Sequence, residues 1–220
     1  MALSGLLPLL SRRREFLLLS DLLDRGQRPW VTGPAGAAKA CVLAGLIARS
    51  SEQAAAWLVL APGREQAEKL ADDLAAFLPP GAGSLHLLTP WEAYSPEDPP
   101  PVEIEGARQR ILESLRRGGP QVIVMSVAGA LQAVSNPAWV ETVRLSVAPR
   151  SGVDLGEAAG RLVAAGYDRT DLVRRPGEMA VRGGLIDVYP SSEDHPVRIE
   201  WAGDEIETIR AFDAESQRTL

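Results

Sequence analysis

From Pro29 to about Leu131 the sequence alternates short, continuously apolar stretches with segments whose apolar residues recur every three or four positions, and few folds accept that arrangement. Ala56-Trp57-Leu58-Val59-Leu60 reads as a strand closed by Pro62-Gly63. Arg64 to Leu78 then carries Ala67, Leu70, Ala71, Leu74 and Phe77 at helical spacing. Leu85 to Leu88 and Val122 to Met125 read as further strands, with a helix from Ile104 to Leu115 between them. Upstream, Trp30-Val31-Thr32 reads as a first short strand and Lys39 to Ala48 as a helix. Strands without polar alternation are buried on both faces, which happens when they lie parallel and crossover helices cover the sheet. A parallel α/β domain is the expectation.

After Ser135-Asn136-Pro137 the texture changes. Thr142 to Val147 reads as a strand, and Leu155 to Ala165 as a helix capped by Asp154. Strands are then expected at Asp171 to Val173, Met179 to Arg182, Leu185 to Tyr189, Val197 to Trp201 and Ile206 to Phe212, with a turn at Gly203-Asp204. Closely spaced strands favour antiparallel hairpins, so this half is expected to be a smaller α+β domain. Residues 1–26 read as one or two amphipathic helices with Leu17, Leu18, Leu22 and Leu23 facing inward. Their apolar runs fall short of the ~20 residues that span a bilayer, and Arg12, Arg13 and Arg14 follow the first run instead of preceding it, unlike a secretory signal. The expected divisions are therefore 1–26, 27–132, 133–213, and a final 214–220 that reads as the start of a return segment, cut inside a longer protein.

Composition narrows the function. With 29 acidic against 23 basic residues the chain carries a formal charge of −6, which opposes a surface that grips nucleic acid throughout. A single cysteine, Cys41, precludes an internal disulfide, and with only His86 and His195 beside it no zinc site is expected. That usage fits a reducing cytoplasm. No catalytic residue, metal or cofactor is expected.

Gly33-Pro34-Ala35-Gly36-Ala37-Ala38-Lys39-Ala40 has the outline of a phosphate-binding loop between a strand and a helix. A working loop needs a glycine before the lysine so that N–H groups can close on phosphate, and here Ala38 stands there. It also needs a hydroxyl after the lysine for magnesium, where this chain has Ala40. Lys39 keeps its charge, but no apolar strand ends in paired carboxylates to complete an ATPase. An Ala/Gly-rich turn without a nucleotide past is the competing reading of this string.

A longer series of motifs is more specific: Trp91-Glu92-Ala93-Tyr94-Ser95-Pro96, Val122 to Leu131, Gly166-Tyr167-Asp168-Arg169, Val181-Arg182-Gly183-Gly184-Leu185-Ile186-Asp187-Val188-Tyr189-Pro190, and the closing Phe212-Asp213 with Ser216-Gln217-Arg218-Thr219. From about residue 27 onward this resembles the N-terminal region of bacterial transcription-repair coupling factors (Mfd), which are themselves similar to the excinuclease protein UvrB. The resemblance implies a degenerate copy of the UvrB core without an ATPase of its own, followed by a domain that docks on the excinuclease protein UvrA. RNA polymerase and DNA would be bound by domains further along the chain, which could also mask this one through intramolecular contacts. Two docking arginines carry over, Arg169 and Arg182, while a third position is Ala180. Asp171, Arg175, Gly183 and Ile186 fill out the candidate surface. The damage-probing hairpin of UvrB would fall near Glu97 to Glu105, where this chain offers only a short acidic, proline-rich segment. The alternative is a weak nucleotide-binding or DNA-binding module similar to UvrB itself.

Overall fold

The computed structural model describes residues 3–50, 56–91 and 101–220. They form two compact units. One comprises the described residues of Met1–Glu92 together with Ile111–Gln132, and the other those of Ala93–Arg110 together with Ala133–Leu220.

The first unit is built on three parallel strands, β1 (Ala56–Ala61), β2 (Ser84–Leu88) and β3 (Gln121–Ser126), in the order β1-β3-β2. Helices α3 (Ala38–Ser50) and α4 (Arg64–Phe77) cover one face, burying Ala40, Ala44, Ile47, Ala67, Ala71 and Leu74 against Val59, Val122 and Val124. On the other face Ile111, from helix α5 (Val102–Arg117), closes over Leu88, Ile123 and Met125. β3 is buried along its whole length because it is the central strand with both faces covered. Its run ends at Ser126, whose Oγ accepts from the Gly129 N–H at 3.0 Å and caps the short helix α6 (Val127–Leu131).

Ahead of the sheet lie α1 (Leu7–Leu10) and α2 (Arg14–Asp24), with Leu10 and Phe16 seated on Gly45 of α3. An added Cβ at Gly45 would come within 3.0 Å of both side chains, so glycine permits this approach. The buried residues of α2 are Phe16 and Ser20, while Leu17 and Leu18 are more than half exposed and Leu23 is exposed as well. The expected inward leucine face is thus corrected: the helix turns its aromatic residue inward because Gly45 offers a recess for the ring. Arg49 adds a two-pronged pair with Asp24, at 2.5 and 3.0 Å, tying α2 to α3.

The second unit contains α7 (Pro137–Val143), α8 (Leu155–Ala164) and a mixed sheet of five strands in sequence order: β4 (Asp168–Arg169), β5 (Glu178–Arg182), β6 (Leu185–Val188), β7 (Val197–Ala202) and β8 (Glu205–Ala211). β4 runs parallel to β5, and the other neighbours are antiparallel. Asp154 caps α8 by accepting the Glu157 N–H at 3.0 Å, as its position before the apolar run predicts. Ala158 and Leu162 then pack on Met179, Ile186, Val188, Ile199 and Ile206.

Three strand expectations are overturned. Trp30–Thr32 is not a strand: no described strand offers it a ladder, and Trp30 lies 91% exposed. Thr142–Val147 is not a strand: Pro137 at the first helical position and Asn136, accepting the Ala138 N–H at 2.9 Å, start α7, which takes Thr142 and Val143, and residues 144–147 form no regular element. Asp171–Val173 is a bend, and the strand pairing falls at Asp168–Arg169 instead.

Candidate docking surface

The docking candidates lie on and beside the five-stranded sheet. Arg169 is exposed on β4, the edge strand, in register with Met179. Arg182 ends β5 in register with Leu185. Because side chains alternate along a strand, residues 179 and 182 leave opposite faces, and so do Arg169 and Arg182. Arg169 lies on the edge strand and Arg182 at the hairpin end of the second strand, so the two do not lie side by side. Asp171 and Arg175 are exposed in the segment between β4 and β5. Glu178 accepts the backbone N–H groups of Arg174 and Arg175 at 2.7 and 3.0 Å and holds this turn.

Gly183 and Gly184 form the whole connection between β5 and β6. Gly183 has φ +55 and Gly184 does not enter the left-handed region, the pattern of a type II′ hairpin turn. Gly183 therefore shapes the hairpin beside Arg182 and is itself exposed. Ile186 is fully buried among Met179, Val188 and Ile199. It cannot touch a partner, and its place in the surface is corrected to the core beneath it. Ala180, where UvrB's third arginine would fall, is also fully buried, covered by Val173 and Phe212. The chain's own residues occupy the space an arginine would need.

Asp187, which lies within the motif running from Val181 to Pro190 but outside the candidate surface, is the charged residue on which this face of the sheet converges. It is fully buried and lies in a cross-strand row of Ala180, Asp187, Arg198 and Arg210. Its Oδ1 accepts Arg198 Nε at 2.7 Å and its Oδ2 accepts Arg198 Nη2 at 2.9 Å. Arg182 Nη2 also donates to Oδ2, so one carboxylate holds two guanidinium groups. Those bonds hold the Arg198 guanidinium above its ordinary basicity, and its planar group also lies 4.8 Å above the Phe212 ring. Removing the carboxylate would leave the two guanidinium groups facing each other without their shared acceptor. The signal was available: a strand reading Leu-Ile-Asp-Val puts Asp187 on the face opposite the core residues Ile186 and Val188, and a mid-strand carboxylate needs a basic partner nearby.

The other candidate site is the loop at Gly33 to Ala40. Gly33 and Gly36 take positive φ, and α3 starts at Ala38 with Lys39 exposed. Ala40 is fully buried in the core, so the position where a magnesium-binding hydroxyl would stand points into the protein. Among the described residues no group of His, Cys, Asp and Glu could hold a metal, and no helix is long and apolar enough to cross a membrane. Glu92 to Pro96 of the first motif, and residues 97–100 of the segment replacing the UvrB hairpin, lie outside the described residues, while the rest of that segment leads into α5.

Comparison with known proteins agrees with the motifs. Residues 145–220 match the family described as the UvrB interaction domain. The chain is 36% identical over 217 residues to a transcription-repair-coupling factor of Myxococcus xanthus, covering 94% of this chain and 18% of that protein. It is 31% identical over 156 residues to the Bacillus subtilis (strain 168) transcription-repair-coupling factor, covering 70% and 13%. It is 29% identical over 216 residues to the UvrABC system protein B of Thermotoga petrophila, covering 92% and 32%. The chain thus spans less than a third of the length of each of these curated relatives, while the similarity runs over most of the chain itself.

Proposed function

We propose that this chain, similar over most of its length to transcription-repair-coupling factors and to UvrB, is a non-catalytic docking module that recruits UvrA during transcription-coupled nucleotide excision repair. What carries the reading is the match of residues 145–220 to the UvrB interaction domain, a segment that includes α8 and all five strands of the mixed sheet. An interaction domain in a repair protein acts by presenting a surface. The exposed Arg169 and the half-exposed Arg182 suit a partner with surface carboxylates, which guanidinium forks bind bidentately. Nucleotide hydrolysis is no part of this role, and Ala38 and the buried Ala40 accord with that. The module would act in the cytoplasm. RNA polymerase and DNA would be engaged by other parts of a longer protein.

Calorimetry of the chain with UvrA tests this. Wild type binds, and Arg169→Ala and Arg182→Ala each weaken binding about tenfold or more, the scale of an interface hot spot. Absence of wild-type binding would refute the function, and unchanged affinity in both variants would refute the site.

A further inference from the structure

We infer that Asp187 is the positioning residue of the docking surface: it fixes the guanidinium groups of Arg182 and Arg198 as a braced pair, so that Arg182 meets a carboxylate of the partner already oriented. The inference rests on the docking reading for its partner, whereas the brace is a property of the free chain. Asp187 has no solvent exposure, so it cannot contact a partner, while 45% of the Arg182 side chain remains exposed. Both carboxylate oxygens are engaged, by Arg198 through two bonds and by Arg182 through one nitrogen.

Arg198 is the anchored member, held by the fork and by the Phe212 ring and only 21% exposed. Arg182 is the presented member: one nitrogen is pinned, and its other donors are left to pair outward. An unbraced surface arginine must give up rotamer freedom on binding, and bracing removes part of that cost beforehand. The three groups together carry one positive charge. Arg210 stands opposite Arg198 in the next strand, while Glu200, which accepts the Thr208 hydroxyl, lies two residues along β7 on the same face.

Side-chain nitrogen NMR on the wild-type chain reads the brace without any partner. Arg182 and Arg198 are expected to show slow guanidinium rotation, and exposed Arg169, which has no ion pair among the described residues, serves as the fast internal reference. Arg182 rotating as fast as Arg169 overturns the proposal. In Asp187→Asn, which keeps the side-chain shape, Arg182 is expected to join the fast class. Affinity for UvrA is expected to fall about tenfold in Asp187→Asn, with no further fall when the substitution is added to Arg182→Ala. Fully additive losses would mean that Asp187 acts through the fold alone, and would overturn the positioning role. A braced Arg182 in a chain that does not bind UvrA would refute the docking reading while upholding the brace.

Discussion

At the scale of single residues, the surface is defined as much by what is buried as by what is exposed. Ala180 lies beneath Val173 and Phe212 with no room for a longer side chain. Ala180→Arg is therefore expected to destabilise the chain by about 2 kcal/mol or more, through overpacking and a buried charge, and not to tighten UvrA binding. Denaturant unfolding and calorimetry check the two halves of that statement. Tyr167 offers a second residue-level test. Burial pushes its hydroxyl pKa up, so the folded chain holds that proton more tightly than the unfolded chain. Stability from this source is complete below pH ~10 and is lost as pH rises through the folded value. Unfolding midpoints followed between about pH 9 and 11 should fall less in Tyr167→Phe than in wild type. The sequence made Arg169 and Arg182 visible because their neighbouring motifs are specific. For Asp187 the strand pattern asks for a basic partner, but that Arg198 and Arg182 are the ones that converge on it is seen only in the fold.

Among the elements, legibility followed length and pattern. α4, with its unbroken stripe from Ala67 to Phe77, and α8, with Asp154 before it, are marked by local physics alone. The β5–β6 hairpin is marked by Arg-Gly-Gly-Leu between two apolar runs. Three-residue apolar stretches carry no such redundancy. Trp30-Val31-Thr32 has strand composition, but a strand exists only through its neighbours, and among the described residues none pairs with it. Thr142 to Val147 departs for a different reason, because the capping pair Asn136-Pro137 commits the chain to a helix before the β-branched residues can act. Helix α5 holds a test at this scale. An added Cβ at Gly106 would run into the Ser191 carbonyl oxygen, a backbone atom that cannot swing aside. Gly106→Ala is expected to cost about 1–3 kcal/mol, far more than its favourable helix propensity returns, and thermal unfolding will measure it.

For the whole molecule, each unit has its own core. If the module is non-catalytic, ATP with magnesium at millimolar concentration should leave its melting temperature unchanged, because a ligand that binds the native state must raise it. A magnesium-dependent rise would revive the nucleotide-binding alternative.

The strand orders of the two sheets bear on how the chain reaches its native state. In the mixed sheet every strand pairs with its neighbour in sequence, whereas β3 must reach past α4, β2 and α5 to join β1. Closing long loops before any contact rewards them slows folding, and local pairing speeds it. The later part of the chain should therefore gain amide protection ahead of the earlier part on dilution from denaturant. Pulse-labelled hydrogen exchange would register protection at Ile186 and Ile199 before Val122 and Val124. On a ribosome the order of synthesis is the reverse, so the slow parallel sheet would have a head start that refolding in a test tube does not give it.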